Sequence, residues 1–386
     1  MKITFLIILI FNLNIVFGQV SELLILRTTK NKLSIKENDK LSKDSWTINF
    51  NLNPDIYITR KLNSKVTFYS DIDSISFIIK KGRKYDFVVL LNEKDSAFTQ
   101  IIYQKPFIET LKNAYKYNAN EKRDIPNFTY QDSTNENLKK LRQGFNLDSI
   151  AGNANEISKI LNLMHWIHNL IPHDGIHGNP QVKNALNMIN VCKKNNIGLN
   201  CRGLATVLNE CYLSMGFKSR FVICLPKDSL GIDPDCHVIN MVFSKSLNKW
   251  IYIDPTHDLY VMNEKGELLG IEEVRKRLIN NKPLIINPDA NWNHKESTVI
   301  EHYIYEYMAK NLYMFKCPLQ SQFDTETRAK GKDINYVNLI PTEYFKQEPI
   351  IETYTDEFET SFKIYKTNNP NIFWKKPIIN TLHNNK

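Results

Sequence analysis

At 386 residues the chain is too long for one ordinary core and calls for two domains with room for a tail. Its 42% hydrophobic and 24% charged residues exclude a disordered chain, and 11% aromatics is generous material for building cores. The net charge of +9 is spread over lysine-rich loops without a run of interleaved basic and aromatic residues. It reads as a solvated basic surface with mild attraction to acidic envelope polymers, not as a nucleic-acid interface.

Met1-Lys2 precedes an apolar run from Ile3 to Phe17 that is broken only by Asn12 and Asn14, with small residues near Gly18. This is the pattern of a signal peptide over residues 1–18, cleaved before Gln19, because a spanning helix needs roughly 20 uninterrupted apolar residues. No Cys follows Gly18 to carry a lipid, and no second hydrophobic run appears. The mature protein is expected to be exported, periplasmic or secreted, and to meet the membrane only through the signal peptide.

Residues 19–106 read as an all-β domain. Trp46, Ile48, Phe50 and Leu52 alternate with Thr47, Asn49 and Asn51, while Ile75, Phe77 and Ile79 recur at every second position and Phe87 to Leu91 form a short apolar run. Residues 107–155, rich in Asn, Lys and Asp, read as a helical connection and linker. The next element is an amphipathic helix with Ile157, Ile160, Leu161, Met164, Ile167 and Ile171 at helical spacing, Asn155 as N-cap and Pro172 as its stop. His165, His168, His173 and His177 cluster near its end. Without an acidic or Cys ligand at a zinc-like spacing, they read as solvated or packed side chains.

From Gly198 to Thr256 the residues carry chemistry. Leu204, Leu208, Cys211 and Met215 follow a helical spacing and Gly216 supplies a left-handed stop, so Cys201 falls at a helix N-terminus. Free N–H groups and partial positive charge there favour a thiolate and can hold a developing oxyanion. Phe217 to Cys224 reads as a strand carrying Arg220. After the loop Pro226 to Asp235, His237 to Phe243 and Trp250 to Asp254 read as two strands joined by the polar turn Ser244 to Asn248. The midpoint between His237 and Asp254 lies inside that turn, so an antiparallel hairpin makes them near cross-strand neighbours. A carboxylate beside an imidazole fixes its tautomer, and the imidazole then exchanges a proton with a thiol.

Other residues compete for these roles. Cys236 adjoins His237 but points to the opposite face of a strand, and Cys211 belongs to the buried face of its helix. His257 and Asp258 become partners only if the register slips. Cys192, Cys224 and Cys317 have no catalytic neighbours in sequence, and a zinc site from Cys201, Cys236, His237 and His257 lacks any paired Cys spacing. Reserving Cys201 leaves an odd number of cysteines, so free thiols are expected. Trp166 and Asn200 stand as oxyanion side chains, with the Cys201 N–H the safer donor.

The Cys-bearing helix with Ala205 and the trailing Gly216-Phe217-Lys218-Ser219-Arg220, the His-initiated strand His237-Val238-Ile239-Asn240, and the strand from Trp250 to Thr256 ending in Asp-Pro-Thr resemble the transglutaminase-like superfamily, relatives of the papain-like thiol enzymes. The resemblance spans about Glu156 to Ile279. It implies that Cys201 is the nucleophile, His237 the general base and acid, and Asp254 the residue that orients His237, with no cofactor and no metal. It also implies acyl transfer at amide bonds of a peptide, another amide-containing substrate or an envelope polymer. An exported bacterial hydrolase, a peptidase or amidase, is preferred over a cross-linking enzyme, since the sequence carries no calcium loop. The alternative is a catalytically inactive binding or assembly protein on the same fold. Arg202 departs from the aromatic or small residue many members carry after the Cys; it either raises thiolate character or obstructs the cleft.

Beyond this stretch, Lys265-Gly266 marks a turn and Ile271 to Ile279 a short helix, and Ile300, Ile304, Met308 and Leu312 predict one more helix ended at Cys317-Pro318. The expected organisation is a signal peptide at 1–18, a β domain at 19–106, a linker at 107–155, an α+β transglutaminase-like, papain-like core at 156–285, and a helical and irregular extension at 286–386.

Overall fold

The computed structural model describes residues 23–114, 116–227 and 235–378. The expected signal peptide and most of the loop before His237 lie outside these residues. Among the described residues no helix is long and apolar enough to cross a membrane. The chain divides into two compact units between Pro106 and Phe107.

The first unit holds two four-stranded sheets. One has the order Leu24–Thr28, Lys84–Leu91, Asp95–Tyr103, Asp55–Thr59, and the other Lys40–Thr47, Lys32–Glu37, Lys65–Tyr69, Ser74–Ile78. Alternating side chains fill its core with Leu26, Leu33, Ile35, Val66, Phe68, Phe87 and Ile101. The alternation from Trp46 to Leu52 is not one strand. The chain leaves the sheet after Thr47, because Asn49 and Asp55 side chains take up the backbone N–H groups of Asn51 and Asn49 and turn it, leaving Phe50 and Leu52 exposed.

The second unit is built on a nine-stranded sheet. Its order is Ile285–Ile286, Leu259–Met262, Lys249–Asp254, His237–Ser244, Ser219–Leu225, Met314–Pro318, Asp333–Leu339, Ser361–Thr367, Ile351–Thr355. Neighbours are antiparallel except for the parallel pair Asp333–Leu339 and Ser361–Thr367. The helix Cys201–Ser214 packs on this sheet and against the helices Glu136–Gly144, Glu156–Leu170 and Ala185–Asn195. It is enclosed on all sides, with every residue from Gly203 to Ser214 buried. Its one buried carboxylate, Glu210, is tolerated because its oxygens accept the backbone N–H groups of Ala185 and Asp324. Burial pushes that carboxyl up to about 8.

Two expectations about domain limits need correction. Residues 107–155 are not a linker: Leu111, Leu141, Leu147 and Ala151 are buried in the cores of the second unit. Residues 286–386 are not an irregular extension either, since Met314–Pro318, Asp333–Leu339, Ile351–Thr355 and Ser361–Thr367 are strands of the same sheet. Their sequence looked irregular because one face is polar along Asp333, Asn335, Ser361, Lys363, Thr353 and Thr355, which diluted the apolar count. The helix predicted from Ile300 to Leu312 forms with a π-helical centre, Tyr303–Met308.

Candidate active site

Asn200 starts the cysteine helix by accepting the N–H of Gly203 on its side chain, and Asn179 clamps Asn200 through both its amide and its backbone. Gly216, at φ +82°, ends the helix as expected. Asn200 is thereby spent as a cap. Cys201 is the first helical residue and part-buried. The histidine strand is tied to this helix by Asn240, whose side chain donates to Ala205 O at 2.9 Å.

In the hairpin, Asn240 lies opposite Ile253, one residue out from the centre the spacing predicted. Continued along the strands, that register sets Asp254 opposite Ile239. His237 and Asp254 are therefore diagonal neighbours on one face, and His237 Nε2 sits 2.7 Å from Asp254 Oδ2. Both side chains are buried. The other imidazole nitrogen, Nδ1, is left for Cys201, whose thiol pKa His237 lowers. The structure thus brings Cys201, His237 and Asp254 together.

Burial by itself would raise the Cys201 pKa. It is outweighed by hydrogen bonds from His173 and His237, the His237 charge and the Val238 backbone N–H, and the thiol comes down to about 6. Burial would likewise disfavour the imidazolium of His237, but the Asp254 carboxylate and Cys201 raise it to about 10. Asp254 is held below the usual carboxylate range against its own burial by His237 and by the Tyr303 hydroxyl. The favoured state near neutrality is a thiolate beside an imidazolium beside a carboxylate.

Three supporting residues escaped the sequence reading. His173, expected to be solvated or packed, stands near enough to Cys201 to lower its thiol pKa. The Trp292 indole N–H donates to His173 Nδ1 at 3.3 Å, so neutral His173 carries its proton on Nε2. His173 reaches the site because Leu199 runs alongside Pro172 and Asp174, exchanging backbone hydrogen bonds with both. Only glycine fits at 198, where a Cβ would stand 2.4 Å from Pro172 O. The second is Tyr303, whose hydroxyl donates to Asp254 Oδ2 at 2.5 Å and is met in turn by Tyr252 at 2.6 Å. The third, Tyr307, lies against the His237 ring at 5.2 Å between centroids. A buried tyrosine following a charged strand end is too common in sequence to mark such a role, and the only signal for His173 was its place just past the helix stop.

The other candidates lie elsewhere. Trp166 packs on Phe145, away from an oxyanion role. His168 is buried with its nitrogens on Pro255 O and Asn291, His165 pairs with Asp258, and His177 pairs with Asp174 in an exposed loop. Cys192, Cys211, Cys224 and Cys317 are buried, and all six cysteines are free thiols. Among the described residues, two clusters have ligand atoms close enough for a metal ion, His237 with Asp254 and His257, and His165 with Asp258 and Asp289. In both, the His and first Asp are already joined by a hydrogen bond.

Arg202 turns away from the thiol. Its guanidinium pairs with buried Glu326 and donates to Tyr336 OH at 2.9 Å, so it neither obstructs the cleft nor touches the sulfur. It pins the start of the cysteine helix to the sheet's far half. Glu326→Gln is expected to lower the unfolding free energy by about 1–3 kcal/mol, read from a denaturant midpoint, because Arg202 then loses its counter-charge.

Residues 143–255, which include all three site residues, match the family model described as the transglutaminase-like superfamily. The likeness to that superfamily covers this segment and not the rest of the chain. The match begins before Glu156, inside the stretch first read as linker, and ends at Pro255, before the strands that complete the sheet. Among solved structures, a candidate cysteine protease from Cytophaga hutchinsonii aligns over 42% of this chain and 49% of its own, at 18% identity and a TM-score of 0.25. This chain therefore spans about half of that protein's length, and the likeness is too slight to bear on mechanism. No curated protein matches.

Proposed function

We propose that the transglutaminase-like core is a cysteine-dependent acyl-transfer enzyme that hydrolyses amide bonds of peptides or other amide-bearing substrates. The observation that carries this reading is the relay of Asp254, His237 and Cys201 at a helix start, which favours a thiolate at neutral pH.

In the proposed reaction, the Cys201 thiolate attacks the substrate carbonyl carbon. The oxyanion that forms accepts hydrogen bonds from the Cys201 backbone N–H and from His173 Nε2–H. His237, protonated on Nδ1, gives that proton to the leaving amine as the C–N bond breaks, which leaves a thioester. Water then attacks the thioester with His237 taking its proton, and the carboxylic acid departs as the thiolate returns. Asp254 supports the imidazolium throughout, and Tyr303 and Thr256 hold Asp254 in place.

Water is preferred over an amine as acceptor on the same ground as in the sequence reading, the absence of a calcium loop. The apolar run Ile3 to Phe17 supports placing the enzyme outside the cytoplasm. The decisive experiment labels purified protein with iodoacetamide across pH, alongside Cys201→Ala. Cys201 labelling that is no faster than that of free glutathione at pH 7 would discard the enzyme reading in favour of a binding or assembly protein. With a reactive Cys201, release of free acid against incorporation of an added amine separates hydrolysis from transfer.

His173→Ala separates two roles of one side chain. Loss of the oxyanion donor is expected to lower turnover about 100-fold, while Cys201 labelling at pH 7 falls much less because His237 and the Val238 N–H still support the thiolate. Equal losses in both measurements would reduce His173 to a thiolate partner.

A further inference from the structure

A cavity of about 460 Å³ is walled in part by residues that pack on His237. Three of its walls bear on His237: the His257 ring at 5.9 Å, Tyr303 at 6.2 Å and Tyr307 at 5.2 Å between centroids. A fourth, Trp292, is hydrogen-bonded to His173, the partner of Cys201. Thr298 and Val299 also line it, and Val299 is half exposed. The reaction as proposed needs none of this space.

We propose that this cavity is a substrate subsite for a bulky apolar side chain, aromatic by preference, carried next to the scissile amide. The inference rests on the proposed function and adds the class of substrate. Size and chemistry argue for it. A void of about 150 Å³ already takes a benzene ring, so this one has room for a large side chain and some attached backbone. Its inner walls are rings, and rings favour an aromatic guest through offset or edge-on stacking. His257 does not introduce charge there, because burial and its neighbours bring its pKa down to about 4 and it stays a neutral imidazole at working pH. Its Nδ1 is occupied by Thr298 Oγ1 at 3.0 Å, which fixes the ring as a wall. The carboxylate of Glu296 lies at the exposed rim. A small or strongly polar group would leave the rings partly wetted and gain little.

The test compares iodoacetamide with N-benzyl-2-iodoacetamide and N-(2-phenylethyl)-2-iodoacetamide on the full chain, each normalised to its rate with glutathione. At least one aromatic reagent is expected to label Cys201 about tenfold faster than iodoacetamide after normalisation, with saturation in reagent concentration. Val299→Trp and Ser297→Trp, both at exposed positions outside the Cys-His pair, are expected to remove that advantage by filling the cavity. Their rate with iodoacetamide serves as the check that the site is intact. Normalised rates equal across the three reagents overturn the subsite while leaving the nucleophile in place. If iodoacetamide itself labels Cys201 no faster than glutathione, the proposed function falls. Trp-fluorescence titration of Cys201→Ala with N-benzylacetamide then judges the cavity alone: saturable quenching lost in Val299→Trp sustains the apolar site, and no quenching ends it.

Discussion

His237→Ala is expected to abolish turnover, with kcat falling by about 10³–10⁴, because in the proposed reaction the same ring stabilises the thiolate and protonates the leaving amine. Thiol labelling separates the two losses. In the wild type the thiol pKa of about 6 leaves most of Cys201 as thiolate at pH 6.5. Without the imidazolium the pKa returns toward the ordinary value of about 8.5, and the thiolate fraction at that pH drops roughly 50- to 100-fold. Labelling at pH 6.5 therefore falls by that factor, whereas labelling at pH 10, where any thiol is ionised, changes little. A His237→Ala protein labelled as fast as wild type at pH 6.5 would mean that the helix start and His173 alone hold the thiolate.

The second large effect is on the pH profile of Asp254→Asn. The direction follows from the two ionisations. The working ion pair exists above the Cys201 pKa, about 6, and below the His237 pKa, which Asp254 and Cys201 raise to about 10. On the proposed reaction, wild-type activity is expected to be lost as pH falls through the first value and as it rises through the second. Removing the carboxylate's charge lowers the His237 pKa, so the alkaline limb moves down. With the imidazolium less populated, the thiol pKa rises and the acid limb moves up. The plateau narrows from both sides. At its optimum kcat is expected to fall about 10²–10³-fold, since an amide also breaks the pattern in which Asp254 accepts from His237, Tyr303 and Thr256 at once. A profile of unchanged width would remove Asp254 from the relay.

Much of this arrangement was legible in the residues. Cys201 was readable at a helix start because periodic apolar positions and Gly216 bracket the helix, and those are local signals. The pairing of His237 with Asp254 was readable because a polar turn lies near their midpoint, although the actual centre is one residue on and the contact is diagonal. What could not be read depended on distant chain segments. His173 reaches Cys201 through the Gly198 crossing, a tertiary contact that leaves only an isolated glycine in the sequence. Tyr303 approaches Asp254 from a π-helical turn whose apolar spacing looked like an ordinary helix. Glu326 and Tyr336 lie in a stretch whose polar sheet face disguised its strands. Arg202, which looked like an intruder in the cleft, answers to those two residues.

The strands from Met314 to Thr367 also set the order in which the site is completed. Tyr303, Glu326 and Tyr336, which hold Asp254 and the start of the cysteine helix, all follow the segment that carries Cys201, His237 and Asp254. During synthesis the nucleophile leaves the ribosome well before the parts that anchor it, and the pairing of Asp333–Leu339 with Ser361–Thr367 waits longer still. A chain cut short after residue 256 and before residue 303 carries Cys201, His237 and Asp254 but lacks Tyr303 to fix the carboxylate. The fully braced relay is thus assembled only when nearly the whole chain has been made.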